Sequence, residues 1–296
     1  MIYLSYYVLE NHELKVKIAN KGAELRSIKS KVDGTEYLWQ ADVVFWGRHS
    51  PILFPIVGKL KEDCYNFEEK SYNMNQHGFA RDREFSISKN EPNTISFTLT
   101  DDDETLKIYP FNFELTIEYK LMNNSVLVNY LVKNISEKKV MPFSIGAHPG
   151  FNLPLDDRTS FEDYYFEISP KRTRKYIPVS EDVLLQMNNA ELVSKNVYDL
   201  KRELFSEGVL IWETLGRTRI ALKSDKTDKT IILDYDSVPY LGVWSTYPQE
   251  ASFVCIEPWC GIADTIDSNG VLDEKAGINI LRPHEQFQTN FKMTFK

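Results

Sequence analysis

The chain has 296 residues, of which 42% are hydrophobic and 13% aromatic. A disordered chain would be poorer in large apolar side chains, so this composition predicts a folded protein with a substantial core. The 35 basic and 43 acidic side chains leave a net charge of −8. That balance argues against nucleic-acid binding, which needs a basic face to neutralise phosphates. We interpret the one basic run, at residues 171–175, as a solvated loop.

The N-terminus and the lack of a long apolar run predict a soluble, cytoplasmic protein. The first seven residues lack the basic region and the cleavage site of a signal peptide, and no apolar run approaches the ~20 residues that cross a bilayer. We therefore expect no membrane partner. Cys64, Cys255 and Cys260 form no C-x-x-C pair and are odd in number. They are interpreted as small buried hydrophobic residues, not as a zinc ribbon or a disulfide framework.

Alternation of apolar and polar residues is the dominant pattern along the chain and predicts strands with one solvated face. In chain order it covers residues 14–18, 95–99, 113–121 and 287–295. Turn signals at 32–35, 90–93, 122–124 and 267–270 are too closely spaced for crossover helices, so the sheets should be mostly antiparallel. Two short helices are expected, at 197–205 and near 181–187, and the acidic run 101–104 is interpreted as an exposed loop. The prediction is an all-β protein, a single large antiparallel β-sandwich domain over residues 1–296 with one or two short helices.

Four segments break the strand pattern by combining Gly, Pro, aromatic and titratable residues, as the ligand loops of β-sandwiches do. They are WGRHSP at 46–51, QHGFAR at 76–81, GAHPGFN at 146–152 and IEPWCG at 256–261. His77 precedes a glycine, so a sharp turn can direct its ring off the sheet, although a histidine at a turn is often a surface or capping residue. His148 should be extended because a proline follows it. Glu257 ends an apolar strand and either faces water or is held inside a pocket by donors.

Three chemistries use two imidazoles and a carboxylate. A two-histidine, one-carboxylate set can bind a non-haem metal, but the short local spacing H-x-D/E is missing here. Glycoside hydrolysis needs two facing carboxylates. Proton transfer on a sugar hemiacetal needs one base at the anomeric hydroxyl and one acid at the ring oxygen, which a glutamate and a histidine can provide near neutral pH. The periodicity of the sequence does not choose among them.

Five ordered stretches carry a resemblance to a known family: GAELRSI at 22–28, WGRHSPILFPIVG at 46–58, QHGFAR, GAHPGFN and IEPW. They resemble the aldose 1-epimerase (galactose mutarotase) family, in particular the branch with hexose-6-phosphate mutarotases and uncharacterised sugar-operon proteins. The resemblance implies a supersandwich with an open groove and interconversion of the α and β anomers of an aldose, without cofactor or metal. It also implies that Glu257 is the base, that His148 is the acid at the ring oxygen, and that His77 hydrogen-bonds the sugar nearby.

The same resemblance gives five candidates for substrate binding, at two of which the sequence departs from the family pattern. Lys59 stands where galactose mutarotases carry an arginine, and a lysine keeps the charge but loses the planar fork, so Arg48 or Arg81 would do more of the binding. The family's sugar-binding aspartate is missing after Leu204-Phe205, where only Glu207 could substitute for it. Trp259, in the IEPW motif, is the fifth candidate.

The function expected is therefore a mutarotase acting on a hexose or hexose 6-phosphate, as a monomer or homodimer. Two alternatives remain open at this stage: a non-catalytic carbohydrate-binding protein on the same fold, and a metal-dependent oxygenase. The presence of both His148 and Glu257 favours the enzyme, because a binding protein needs no matched acid and base.

Overall fold

The computed structural model describes residues 5–296, and β-strands dominate them. The first twelve strands are β1 (Tyr6–Glu10), β2 (Leu14–Ala19), β3 (Leu25–Ser30), β4 (Ile52–Leu53), β5 (Cys64–Phe67), β6 (Lys70–Asn73), β7 (Ser86–Glu91), β8 (Thr94–Thr100), β9 (Phe113–Met122), β10 (Ser125–Asn134), β11 (Met141–Phe143) and β12 (Ile145–Ala147). The remaining strands are β13 (Gly150–Asn152), β14 (Tyr164–Ser169), β15 (Arg174–Tyr176), β16 (Glu191–Val193), β17 (Val197–Asp199), β18 (Leu210–Glu213), β19 (Thr218–Ser224), β20 (Thr227–Tyr235), β21 (Tyr240–Trp244), β22 (Phe253–Cys260), β23 (Asn279–Leu281) and β24 (Gln286–Phe295). One α-helix, α1 (Asp103–Ile108), and six short 3-10 helices are present in this part of the chain; the 3-10 helices are Lys61–Asp63, Ala80–Asp82, Phe161–Asp163, Met187–Asn189, Arg202–Phe205 and Leu272–Glu274.

Two large antiparallel sheets form the body of the fold. One has nine strands in the order β17-β14-β19-β20-β24-β10-β9-β8-β7, and the other has the order β16-β15-β18-β21-β22-β12-β4, with β13 also pairing with β22. Smaller sheets are formed by β1-β2-β3, by β5-β6 and by β11-β23. The predicted all-β antiparallel sandwich is confirmed, and no helix within residues 5–296 is long and apolar enough to cross a membrane.

The alternating segments of the sequence form the strands that enclose the core. In β9 every second residue from Phe113 to Leu121 is buried, while the residues between them are partly or fully exposed. The buried side chains of β9 belong to one continuous cluster with Val254 and Ile256 of β22, so residues from both large sheets share a core. The hydrophobic effect thus selects which face of each strand points inward.

Several local predictions were wrong, because tertiary pairing overrides local propensity. Within 197–205, residues Val197–Asp199 pair with β14 as a strand and only Arg202–Phe205 form a 3-10 helix. No helix spans 181–187. The acidic run is exposed but not a loop, since Asp102 caps α1 by accepting a hydrogen bond from the Thr105 amide.

Two assignments to the surface or the core also need correction. Arg174 in the basic run is buried, because its guanidinium donates to the Pro170 carbonyl at 2.7 Å and to Asn196. Cys255 and Cys260 are buried as predicted, but Cys64 is only half-buried.

Strand β22 is buried on both faces, and this places the site. Val254 and Ile256 point into the shared core, whereas Cys255 packs in a second cluster and Trp259 in a third. Because side chains alternate along a strand, Glu257 lies on the same face as Cys255 and Trp259. The sequence had indicated that Glu257 ends a strand, but the residue lies inside β22.

Candidate active site

A cavity of about 310 Å³ lies against that face of β22. Its wall includes Trp46, His77, Arg81, His148, Glu257 and Trp259. Residues from all four irregular segments, far apart in sequence, therefore meet at one cavity. Concave sites with an apolar lining and a few converging polar groups are typical of small-molecule binding.

Glu257 is held in the middle of the sheet, opposite Gly242 of β21. Its side chain is 1% exposed, and Oε2 has no hydrogen-bond partner among the residues that the structure describes. Burial raises the pKa of this carboxyl well above its usual value. A carboxylate at this place therefore gains from any donor or cation that enters the cavity.

His148 is positioned by two tryptophans. Its ring stacks on that of Trp46 with the centroids 4.8 Å apart, and Trp244 contacts it edge-on at 5.8 Å. Nε2 lies 3.2 Å from Oε2 of Glu257. Burial lowers the pKa of the imidazole to about 3, and the positive charges of Arg81 and Arg48 add to this, against an opposing backbone hydrogen bond.

Glu257 and His148 behave as one titrating unit because they are in contact and both buried. Burial disfavours a net charge on the pair, so the state with two protons and the state with none are avoided and the pair retains one proton over a wide pH range. That proton can reside on either side chain, as neutral acid beside neutral imidazole or as carboxylate beside imidazolium. One group can then donate a proton while the other accepts one.

His77 turns sharply, as its position before glycine predicted, with φ at +67°. Gly78, with φ at +69°, permits the turn, since a Cβ there would lie 2.3 Å from the Phe54 carbonyl oxygen. Nδ1 accepts a hydrogen bond from the Gly58 amide at 3.1 Å, which leaves the ring proton of neutral His77 on Nε2. The ring meets that of His148 edge-on at 5.4 Å, and burial lowers its pKa well below the usual value. His77 is therefore a neutral donor beside the pair.

The indole of Trp259 is fixed between two neighbouring strands. A Cβ on Gly242 would lie 2.5 Å from the ring, and a Cβ on Gly146 would lie 2.6 Å from it, so the ring occupies space that only glycine leaves free. Its Nε1 is buried and makes no hydrogen bond of ordinary length and angle within residues 5–296. The N–H group lowers the pKa of Glu257, against the larger effect of burial.

The two arginines lie at different depths. Arg81 lines the cavity and donates from Nη2 to the Gln76 carbonyl at 2.5 Å, while burial lowers its pKa to about 10. Arg48 bonds Asp82 at 3.0 Å and lines an adjoining depression that also includes Trp46 and Arg81. Asp82 thus contacts both guanidinium groups, with Arg81 more weakly at 3.9 Å.

Besides Arg48, two more of the predicted binding residues lie outside the cavity wall. Lys59 is half-buried and borders an adjoining depression that shares Gln76 and Val183 with the cavity, and Glu207 is exposed. Gly208 and Val209, which follow Glu207, line the cavity in its place. A role of either charged residue at the sugar stays a prediction.

Sequence reasoning missed the two aromatic rings that hold His148. Trp46 begins the WGRHSP motif, so its place in a ligand loop was visible, but nothing local indicated that it would stack on His148. Trp244 ends β21 and is brought to the site by the pairing of β21 with β22, in which it stands opposite Cys255. A metal could be held by His148, Cys255 and Glu257, whose ligand atoms lie within 4.8 Å of one another.

Comparisons with known proteins agree with this architecture. The protein LacX of Lactococcus lactis subsp. lactis, in its plasmid form, is 33% identical over 97% of this chain and 98% of its own length. A galactose mutarotase related enzyme from Lactobacillus acidophilus has a solved structure that is 42% identical and covers 99% of this chain and 97% of its own, with a TM-score of 0.96. A galactose mutarotase-like protein from Lactobacillus casei is 33% identical, covers 99% and 100%, and has a TM-score of 0.91.

A family profile leads to the same conclusion. The profile described as Aldose 1-epimerase matches residues 5–291, a range that includes all the segments that line the cavity. The fold is galactose mutarotase-like. The chain belongs to the aldose 1-epimerase family.

Proposed function

We propose that the protein is an active mutarotase that interconverts the α and β anomers of a hexose or a hexose 6-phosphate. The observation that carries the proposal is the 3.2 Å contact between Nε2 of His148 and Oε2 of Glu257 at a cavity of sugar size. The anomeric hydroxyl and the ring oxygen of a pyranose are bonded to the same carbon. Two proton-transfer groups this close together can therefore serve both oxygens at once.

In the proposed reaction Glu257 removes the proton of the anomeric hydroxyl, and His148 donates a proton to the ring oxygen. The C1–O5 bond breaks, which gives the open-chain aldehyde. Rotation about C1–C2 presents the other face of the carbonyl, and the two transfers reverse to close the ring. The pair begins and ends with a single proton, so each turnover is balanced without an external acid or base.

The neighbours of the pair fit this reaction. His77 is neutral with its proton on Nε2, so it can donate to an oxygen of the sugar near the ring oxygen. Trp46 fixes the plane of the His148 ring by stacking. Arg81 lines the cavity and makes no hydrogen bond from Nε in the described part of the chain, so its guanidinium offers a charged donor there.

Substrate specificity is the finer part of the proposal. Arg81 in the wall and Arg48 in the adjoining depression suit an anionic group at the far end of a sugar, because arginine donors bind phosphate oxygens in pairs. Asp82 neutralises part of that charge. A local cationic rim can nevertheless outweigh the net charge of −8, since charges farther than ~8 Å are screened at physiological salt.

The deciding experiment is NMR exchange spectroscopy between the anomers of galactose, glucose and their 6-phosphates, with and without protein. Exchange above the spontaneous rate supports the enzyme. Binding of a sugar without faster exchange would support the alternative, a non-catalytic carbohydrate-binding protein. Because hemiacetal opening needs only proton transfer, turnover should survive EDTA, and loss of activity that a divalent ion restores would contradict the proposal.

A further inference from the structure

Cys255 is a buried thiol that the proposed reaction does not use. It stands two residues before Glu257 on β22, so both side chains lie on the face of the strand that is turned to the site. Its thiol is fully buried, close to Phe253 and Trp39. The ligand atoms of His148, Cys255 and Glu257 all lie within 4.8 Å of one another.

We propose that His148, Cys255 and Glu257 form a binding site for one zinc-class divalent cation, and that the bound cation switches off the acid–base pair. The blocking effect rests on the proposed function, but the binding does not. One imidazole, one thiolate and one carboxylate are ligands that Zn²⁺ commonly takes. Three protein ligands leave a fourth position, which faces the cavity because His148 and Glu257 line it.

The geometry needs only a small adjustment. Ligand atoms at zinc–ligand distances of 2.0 to 2.3 Å in a tetrahedron are about 3.5 Å apart. Nε2 of His148 and Oε2 of Glu257, at 3.2 Å, already match this spacing. The other separations in the set are at most 4.8 Å, so they need to close by no more than roughly 1 Å, which side-chain rotation of Cys255 or Glu257 can provide.

The charge and the chemical softness of the three ligand side chains favour a zinc-class divalent cation. Oε2 of Glu257 is buried and makes no well-directed hydrogen bond in the described part of the chain, although His148 lies 3.2 Å away, so a cation would compensate a carboxylate that the protein satisfies only in part. A thiolate and a carboxylate together neutralise a divalent ion, and a neutral complex suits a buried site. Mg²⁺ and Ca²⁺ prefer six or more oxygen ligands, which this set cannot supply.

The binding step releases two protons. One leaves the Cys255 thiol, which must become a thiolate, and the other is the single proton that Glu257 and His148 share. Both go to solvent, so the affinity for the cation rises with pH. The metal-bound pair has no proton left to transfer, so a sugar in the cavity would not be isomerised.

The test uses the full chain and two metals. Isothermal titration with Zn²⁺ measures binding, and Co²⁺ reports a thiolate ligand through its charge-transfer absorption in the near ultraviolet. The variant is Cys255→Ala, with Cys260→Ala as the matched control, because Cys260 is a buried cysteine of the same strand whose thiol instead faces Ser237 and Thr289. Circular dichroism and thermal unfolding confirm that each variant is folded.

We expect one zinc ion per chain and a thiolate–cobalt band in the natural protein and in Cys260→Ala. In Cys255→Ala the band should be lost and the zinc affinity should fall at least about tenfold. Zinc should also slow anomer exchange, and sugar should weaken zinc binding. A cobalt complex without the thiolate band, or equal zinc affinity in Cys255→Ala, would overturn the site. A protein that binds zinc in this way but never exchanges anomers would leave the site intact and contradict only the proposed function.

Discussion

Glu257 of β22 and His148, which follows β12, meet side chain to side chain with Oε2 and Nε2 3.2 Å apart. The chain contains a second contact of the same kind, between Glu137 and His284 at 3.3 Å, but that pair is exposed at the surface. The first pair is buried and the second is solvated, so the second pair can serve as an exposed control for the first. What differs between them is the environment and not the residue types.

We expect Glu257→Gln and His148→Ala each to slow anomer exchange by ~10²–10⁴-fold, because each removes one of the two proton-transfer groups. The measurement is exchange spectroscopy on the best of the four sugars. Glu137→Gln and His284→Ala are the matched controls and should leave exchange unchanged. Near-normal exchange in either variant of the buried pair, with the fold intact by circular dichroism, would show that the pair is not catalytic.

The pH dependence of exchange should be bell-shaped and broad. The reactive form of the pair has one proton. At low pH the pair binds a second proton, and at high pH it loses the first, so both extremes should be inactive. Burial lowers the pKa of His148 to about 3 and raises that of Glu257 well above its usual value, so the acid limb lies below the usual range of histidine and the alkaline limb above that of a carboxyl. Rates corrected for spontaneous mutarotation test this. A profile that stays flat at both ends would count against the pair.

Trp259→Phe should shift the alkaline limb to higher pH. The variant keeps an aromatic ring between Gly146 and Gly242 but removes the indole N–H, which lowers the pKa of Glu257. Without it the pair retains its proton to higher pH, and kcat should change more than KM. If the ring only provides a surface for the sugar, KM will rise and the limb will stay in place.

Arg81→Ala should weaken turnover of the phosphorylated sugar selectively. Loss of a charge-assisted hydrogen bond costs about 1.5–3 kcal/mol, or roughly 10- to 100-fold in kcat/KM. Arg83→Ala is the control, because Arg83 lies two residues away and faces Asp102 at 3.5 Å. Equal losses on free and phosphorylated hexose would make Arg81 a structural or general sugar-binding residue and would favour a neutral aldose.

Lys275→Met should destabilise the protein by about 3–5 kcal/mol, because it leaves the buried carboxylate of Asp264 without its charged partner. Lys275 and Asp264 are both nearly inaccessible, with Nζ 3.8 Å from Oδ1, and Asp264 adjoins Ala263 in the cavity wall. Lys229→Met, at the more exposed pair with Asp33, should cost at most about 1 kcal/mol. Urea unfolding measures both, and equal costs would refute the difference.

The same lysine gives a signed dependence on pH. Burial lowers its pKa in the folded protein to about 8 from 10.5, so between these values the unfolded chain binds more protons at this residue. The free energy of unfolding of the natural protein, relative to Lys275→Met, should therefore increase as pH rises through that interval. A difference that falls or stays constant would contradict the assignment.

The class of fold could be predicted from the amino-acid pattern alone, because period-two burial can be recognised without knowing the partner of a strand. The 113–121 segment is the clearest case, because its apolar residues are buried in β9 and the residues between them are partly or fully exposed. The resemblance of the ordered motifs to the family also predicted that His77, His148 and Glu257 lie at one site, and all three line the cavity. The sequence-based predictions were wrong where pairing with a distant strand sets the secondary structure. Val197–Asp199, predicted as helix, forms a strand because it pairs with β14.

The chemistry of the site, in contrast, depends on contacts between segments that are distant in sequence. The sequence left open whether Glu257 faces water, and its burial in the middle of β22 follows from pairing with β21 and β13. The stacking of Trp46 on His148 and the position of Cys255 near the pair are likewise contacts between separate segments. Desolvation and contact distance set the pKa of a side chain, and both depend on packing between residues remote in sequence.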